Sequence, residues 1–196
     1  MRRLASALVA LGLVAGLAAC AADPLAEDYR EGSNKGFVSG EFRVVEIPEA
    51  DRGEPVVFSG TSETGETITS ADYAGDVLVV NFWYAGCAPC RSEADDLEAV
   101  HQEYADQNVQ FLGVNIYDQA PTAIAFAEEH GVTYPSLIAI DDAQLKLAFV
   151  DAVPLTAVPV TLVLDTQGRV AARIISEVKH PSILSTLVRD TLAEQS

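Results

Sequence analysis

The most constraining stretch runs from Val77 to Arg91, V-L-V-V-N-F-W-Y-A-G-C-A-P-C-R. Its first half is continuously apolar and rich in β-branched and aromatic residues, the pattern of a strand buried on both faces. Gly86 breaks the run, and Cys87-Ala88-Pro89-Cys90 follows. Beyond it Ala94, Leu97, Val100, His101 and Tyr104 recur at helical spacing, with acids and Gln between them. A dithiol therefore falls where a buried strand hands over to the first turn of a helix. Backbone N–H groups there lack intrahelical partners, and the helix dipole is positive, so both favour an anion. Cys87 should lose its proton more easily than a free cysteine, whose pKa is about 8.5. Pro89 suits a first-turn position because its missing N–H would have had no partner. Cys90, one turn on, can close a disulfide onto Cys87. The chemistry this allows is attack by Cys87 on a partner disulfide, then resolution of the mixed disulfide by Cys90, and it requires Cys87 to be reachable.

Two plainer readings compete. A C-x-x-C can be half a zinc site, but zinc takes four ligands. The chain has no second C-x-x-C or H-x-x-x-H, and His101, His130 and His180 are far apart. It can also be a structural staple, but so short a loop removes little chain entropy.

The motif F-W-x-x-x-C-x-P-C-R-x-E, from Phe82 to Glu93, followed by a long helical pattern, resembles the thioredoxin superfamily. Within it the chain is most similar to the extracytoplasmic TlpA/ResA/DsbE-type thiol–disulfide oxidoreductases, over roughly residues 37–192. The resemblance implies a three-layer α/β fold with an N-terminal β-hairpin and a central βα insertion. It implies that Cys87 is the nucleophile, Cys90 the resolving cysteine, and Glu93 a carboxylate beside the dithiol. Two positions depart from the family: Gly86 stands where most members carry Trp, and Asn81 stands where thioredoxin has a buried Asp. With that Asp missing, Glu93 becomes the main candidate for proton transfer to Cys90. The competing reading of Glu93 is a charge favourable to the helix dipole. Trp83 is expected beneath the dithiol and stands among the substrate-contact candidates.

A second constellation is Ala157-Val158-Pro159-Val160-Thr161-Leu162-Val163-Leu164. A proline directly before an apolar run belongs at a strand's first residue. The resemblance implies that the Val158–Pro159 bond is cis, that Pro159 packs on the dithiol, and that Val158 offers backbone groups to a substrate strand. Pro154 is the competing proline but precedes no strand, and Val160 replaces the family's usual Thr.

Residues 1–19 look like a targeting segment: Arg2 and Arg3, then an apolar stretch too short to span a bilayer. Leu17-Ala18-Ala19-Cys20 resembles a bacterial lipobox, which implies lipidation at Cys20. The three cysteines are thereby divided between one anchor and one dithiol. Loss of residues 1–19 moves the formal charge from −17 to −19. So acidic a chain is a poor ligand for nucleic acid and is repelled by anionic lipid, so membrane residence needs the anchor. Residues 20–40 read as a flexible tether, and 41–196 as the thioredoxin-like domain. Within the domain, strands are expected at 42–47, 55–59, 66–69, 109–114, 137–140, 161–164 and 170–175. Helices are expected at 121–129, with Ala123, Ile124 and Ala127 inward, at 143–149, and at 182–192. Asp72 and Tyr73 suit capping and packing, and His180 a loop or cap.

The function implied is an extracytoplasmic, membrane-anchored thiol–disulfide oxidoreductase. It would reduce partner disulfides, as in cytochrome c maturation or metal-centre assembly, with electrons from a membrane thiol carrier of the CcdA type. No cofactor beyond the Cys87–Cys90 pair, and no metal, is expected. The alternatives are a disulfide-forming oxidase, a thiol peroxidase, which Tyr84 disfavours by standing three residues before Cys87 where a peroxidatic site carries Thr, and a Cu(I) metallochaperone.

Overall fold

The computed structural model describes residues 43–153 and 158–194. The targeting segment, Cys20 and the tether lie outside the described residues, as does Pro154. Eight strands occur among the described residues: β1 (Arg43–Glu46), β2 (Ser59–Thr61), β3 (Thr67–Thr69), β4 (Val77–Trp83), β5 (Val109–Asn115), β6 (Ser136–Ile138), β7 (Val160–Leu164) and β8 (Val170–Ile175). The helices are α1 (Ala88–Glu103), α2 (Ala120–His130), α3 (Ala143–Ala148) and α4 (Pro181–Ala193).

Six strands form one sheet in the order β1-β8-β7-β4-β5-β6. The pairs β4–β5 and β5–β6 are parallel, joined through α1 and α2 as βαβ units. The pairs β4–β7, β7–β8 and β1–β8 are antiparallel. The expected hairpin is β2–β3, which forms a separate two-stranded sheet.

All seven residues of β4 are buried. Because side chains alternate along a strand, its two faces feed two cores. Leu78, Val80 and Phe82 join Leu112, Leu162, Leu145, Phe149 and Phe58 on one side, under α3. Val77 and Val79 join Leu97, Val100, Leu184, Leu187 and Val188 on the other, under α1 and α4. The sheet is thus the middle of three layers, and the fold is the mixed α/β thioredoxin-like one.

Two local expectations need correction. Residues 55–58 are not a strand; the β2 strand begins only at Ser59. Pro55 has no N–H to give a ladder, and Val57 is 76% exposed. In α2 the inward residues are Ala123 and Phe126, while Ile124 is 38% exposed. The helix places its larger aromatic ring against α1 and turns the aliphatic one out.

The end of the sheet away from the dithiol is closed by the β7–β8 turn. Asp165 accepts from the N–H groups of Gln167 and Arg169, and its carboxylate also binds Arg169 and Arg52 at 2.8 and 3.0 Å. Gly168 takes the left-handed conformation there, at φ 77°. Near Asp72 a capping box forms: its carboxylate accepts from the N–H and hydroxyl of Thr69. Tyr73 packs on Phe58.

Gly113 in β5 sits where a Cβ would collide with the hydroxyl of Ser136 and come within 2.8 Å of the Trp83 indole nitrogen. Those two groups hydrogen-bond to each other at 3.3 Å. Gly113→Ala should therefore cost about 1–3 kcal/mol of stability through overpacking. Equilibrium denaturation would check it, and a change within about 0.5 kcal/mol would contradict the contact.

Candidate active site

Cys87 and Cys90 form a disulfide, with Cα atoms 5.2 Å apart. The local sequence builds this directly. The N–H of Cys87 closes a turn onto the carbonyl of Tyr84, and the carbonyl of Cys87 accepts the first helical bond, from Arg91. Cys87 is the N-cap of α1, with extended backbone angles, and Pro89 sits in the first turn. Its sulfur accepts a hydrogen bond from the N–H of Cys90 at 3.1 Å. In the reduced protein that donor would favour a thiolate on Cys87.

Both cysteines are 3% exposed. The expectation of an open nucleophile is corrected accordingly: in the disulfide-bonded state Cys87 packs with Trp83, Cys90, Ala94, Ala123 and Phe126. Its neighbours Gly86 and Ala88 are exposed, so the approach to the sulfur lies between them.

Trp83 is only 6% exposed. Its ring lies 4.3 Å from that of Phe126, and its N–H is given to Ser136. It therefore supports the dithiol from below and offers almost no surface to a substrate.

Asn81 and Trp83 share the β4 face turned toward α1, because they are two residues apart. Asn81 gives one amide group to both the Glu93 carboxylate, at 2.9 Å, and the Thr161 hydroxyl, at 3.1 Å. The other Glu93 oxygen accepts the N–H of Val178 at 2.6 Å. Glu93 is 1% exposed, so it is no solvated charge beside a helix dipole. Burial raises its pKa to about 7, against the opposing pull of the Val178 and Asn81 hydrogen bonds. A cavity of about 20 Å³, comparable to one water, touches Cys90, Asn81, Trp83 and Ser136. The site thus sets a buried carboxyl, its pKa raised by burial, one helical turn beyond Cys90.

The Val158–Pro159 bond is cis. Val160 pairs with Phe82 across β7 and β4, so Pro159, one residue earlier, lies level with Trp83 at the dithiol end of the sheet. Pro159 is buried and Val158 half-buried. His180 is exposed at the N-cap of α4 without a side-chain capping bond.

Sequence reasoning missed part of this site. The loop after β5 is tied to the dithiol loop by Asp118, which accepts from the N–H of Ala85 at 2.6 Å and from the Asn115 amide at 3.0 Å. Asn115 in turn accepts from the N–H groups of Tyr117 and Asp118. The N-I-Y-D spacing is a turn signature, but nothing in one sequence says which other loop it meets.

Residues 53–173 match the model of the AhpC/TSA family. The chain belongs to the AhpC/TSA family. The thiol-disulfide oxidoreductase ResA of Halalkalibacterium halodurans is 29% identical over 106 residues, covering 54% of this chain and 57% of that protein. The thiol:disulfide interchange protein HelX of Rhodobacter capsulatus is 35% identical over 107 residues, covering 54% and 56%. The chain therefore spans a little more than half the length of these curated relatives. Among solved structures, a DsbF homologue from Corynebacterium diphtheriae superposes with a TM-score of 0.67 at 33% identity, covering 79% of this chain and 97% of that one. A secreted thiol-disulfide isomerase from Corynebacterium glutamicum gives 0.67 at 31% identity, covering 80% and 95%.

The Glu93 geometry predicts a pH dependence with a definite sign. Its folded pKa of about 7 lies above the ordinary 4.5, so the folded state holds the proton more tightly. Stability from this group is full below the ordinary pKa and is lost as pH rises through the folded one. The span corresponds to about 3 kcal/mol. Glu93→Gln removes the titration but leaves one of the two donors facing an amide NH₂. The stability advantage of the unaltered protein over this variant should be large near pH 4 and shrink by pH 8. Urea titrations at both pH values test this, and an advantage growing with pH would refute the assignment.

Proposed function

We propose that the chain is a thiol–disulfide oxidoreductase that reduces cystines in partner proteins on the outer face of a bacterial membrane. The observation that carries the reading is the Cys90 N–H aimed at the Cys87 sulfur at the N-cap of α1. In the reduced protein the Cys87 thiolate attacks one sulfur of a partner disulfide. That S–S bond breaks, the departing partner thiolate takes up a proton, and a mixed disulfide joins the proteins. Cys90 then gives up its proton and attacks the Cys87 sulfur. The second partner thiolate leaves, and two electrons have passed to the partner. Glu93, one helical turn beyond Cys90, is the proposed acceptor of the Cys90 proton, because its pKa of about 7 matches the task. The resulting Cys87–Cys90 disulfide is reopened by a membrane thiol carrier of the CcdA type.

The proposed location rests on the sequence: a signal at residues 1–19, lipidation at Cys20, and a tether over 20–40. No helix among the described residues is long and apolar enough to cross a membrane. The assignment to cytochrome c maturation or metal-centre assembly rests on the likeness of the Phe82–Glu93 motif to the TlpA/ResA/DsbE type.

A second reading, disulfide formation or isomerisation, is favoured by the likeness to the secreted thiol-disulfide isomerase of Corynebacterium glutamicum. Reduction potential separates the two. A value near the thioredoxin level of about −270 mV supports the reductase, and one near about −120 mV the oxidase. Independently, Cys90→Ser should accumulate mixed disulfides through Cys87, visible as adducts that dithiothreitol releases. Absence of any adduct with extracytoplasmic proteins would sink the exchange mechanism. Cys20→Ala should shift the protein from the membrane to the soluble extracytoplasmic fraction, and retention on the membrane would refute the anchor.

A further inference from the structure

Gly86 leaves the surface beside Cys87 without the side chain that its position would carry, yet that surface is not bare of aromatic rings. A Cβ at Gly86 would meet the edge of the Tyr84 ring at 3.5 Å, so that ring already lies along the flank of the dithiol loop. Tyr84 packs on the cluster containing Cys87. The Tyr84 and Tyr117 rings meet in a T-shaped contact, ring centroids 5.1 Å apart. Tyr117 is 63% exposed. It is held there by a built support. The Asn115 side chain accepts from the N–H of Tyr117, the Asp118 carboxylate clamps Ala85, and Ile116 bonds the Trp83 carbonyl. Asn115 itself is fully buried. An exposed ring on so well-tied a loop loses little freedom when something stacks on it.

We propose that Tyr84 and Tyr117 form an aromatic platform that receives a cationic side chain next to the cystine of a partner protein. The proposal rests on the thiol–disulfide reading above and deepens it by naming what the partner carries. The occupant follows from charge. The chain has a formal net charge of −17, and the Asp118 carboxylate lies within the loop that carries Tyr117. Arg91, the cation nearest to the dithiol in sequence, is spoken for by Glu129 at 2.7 Å. The face of a tyrosine ring attracts ammonium and guanidinium groups, and an acidic surface steers basic proteins toward it. Gly86 is exposed beside Cys87, so a partner disulfide that reaches Cys87 past it brings its flanking residues to these rings.

The test uses two synthetic cystine peptides, identical except for Arg or Glu beside the cystine, with hydroxyethyl disulfide as a small neutral control. Each is reduced to two thiols as the protein's dithiol closes to a disulfide. The rate is followed by fluorescence of Trp83, the one tryptophan in the chain, which lies in the same buried cluster as both cysteines. Salt of about 0.3 M screens long-range attraction. The unaltered protein should react about three- to fivefold faster with the Arg peptide, as a surface-exposed cation–π contact provides. Tyr117→Ala should lose that preference, Tyr117→Phe should keep it, and all three should reduce hydroxyethyl disulfide at the same rate. The platform is overturned if the preference is missing at the start, if it survives Tyr117→Ala, or if the neutral control slows in parallel. No reaction with any of the disulfides would instead bring down the exchange reading, and the platform with it.

Discussion

The alternation of side chains along β4 is the constraint on which the rest depends. Its residues are all buried, so none can be turned without emptying one core into the other. That fixed register sends Asn81 and Trp83 to the α1 side and aims the chain out of the sheet at the dithiol. The first turn of α1 then begins where the strand stops, and the cap geometry of Cys87 follows from backbone bonds to Tyr84, Cys90 and Arg91.

Beneath this lies a group whose ionised form costs stability. A carboxylate at 1% exposure is tolerated because an amide and a backbone N–H meet its oxygens, and because it can keep its proton. An Asp on β4 would put the acid on the strand itself. Here Asn81 is the donor on the strand and Glu93 the acid on the helix, so the ionisable group rides on the same element as both cysteines. The Val178 bond ties it as well to the segment that leads into α4.

Much of this was legible in the residues. The apolar run from Val77, the C-A-P-C junction and the helical spacing of Leu97 and Val100 reported β4 and α1 to within a residue or two. Those features are local, set by periodicity and by caps. Glu93 was visible as a candidate, and its burial could have been read from its place between Cys90 and Leu97 on one helical stripe. The meeting of Asp118 with Ala85, and of Glu93 with Val178, spans 33 and 85 residues and has no local signal. Ile124, expected inward, is turned out because short helices present two plausible apolar faces and only the neighbouring α1 chooses between them. Trp83 was offered to a substrate by its closeness to Cys87 in sequence, but strand alternation turned it inward.

The ionic knot around Asp165 closes the far end of the same sheet. Leu164 pairs with Leu78 at the start of β4, so the knot and the end of β4 at Trp83 are separated by about 17 Å of strand. Its two guanidinium groups are paired on the spot, Arg52 with Asp165 and Glu194 and Arg169 with Asp165 and Glu49, so their charge is largely offset before it reaches the sulfurs. The redox poise is left to neighbours within a few ångströms, and the acidity of the remainder acts as a long-range field on approaching molecules. Selection can thus alter the charge of the distal end, and with it solubility and encounter rate, without retuning the electron chemistry.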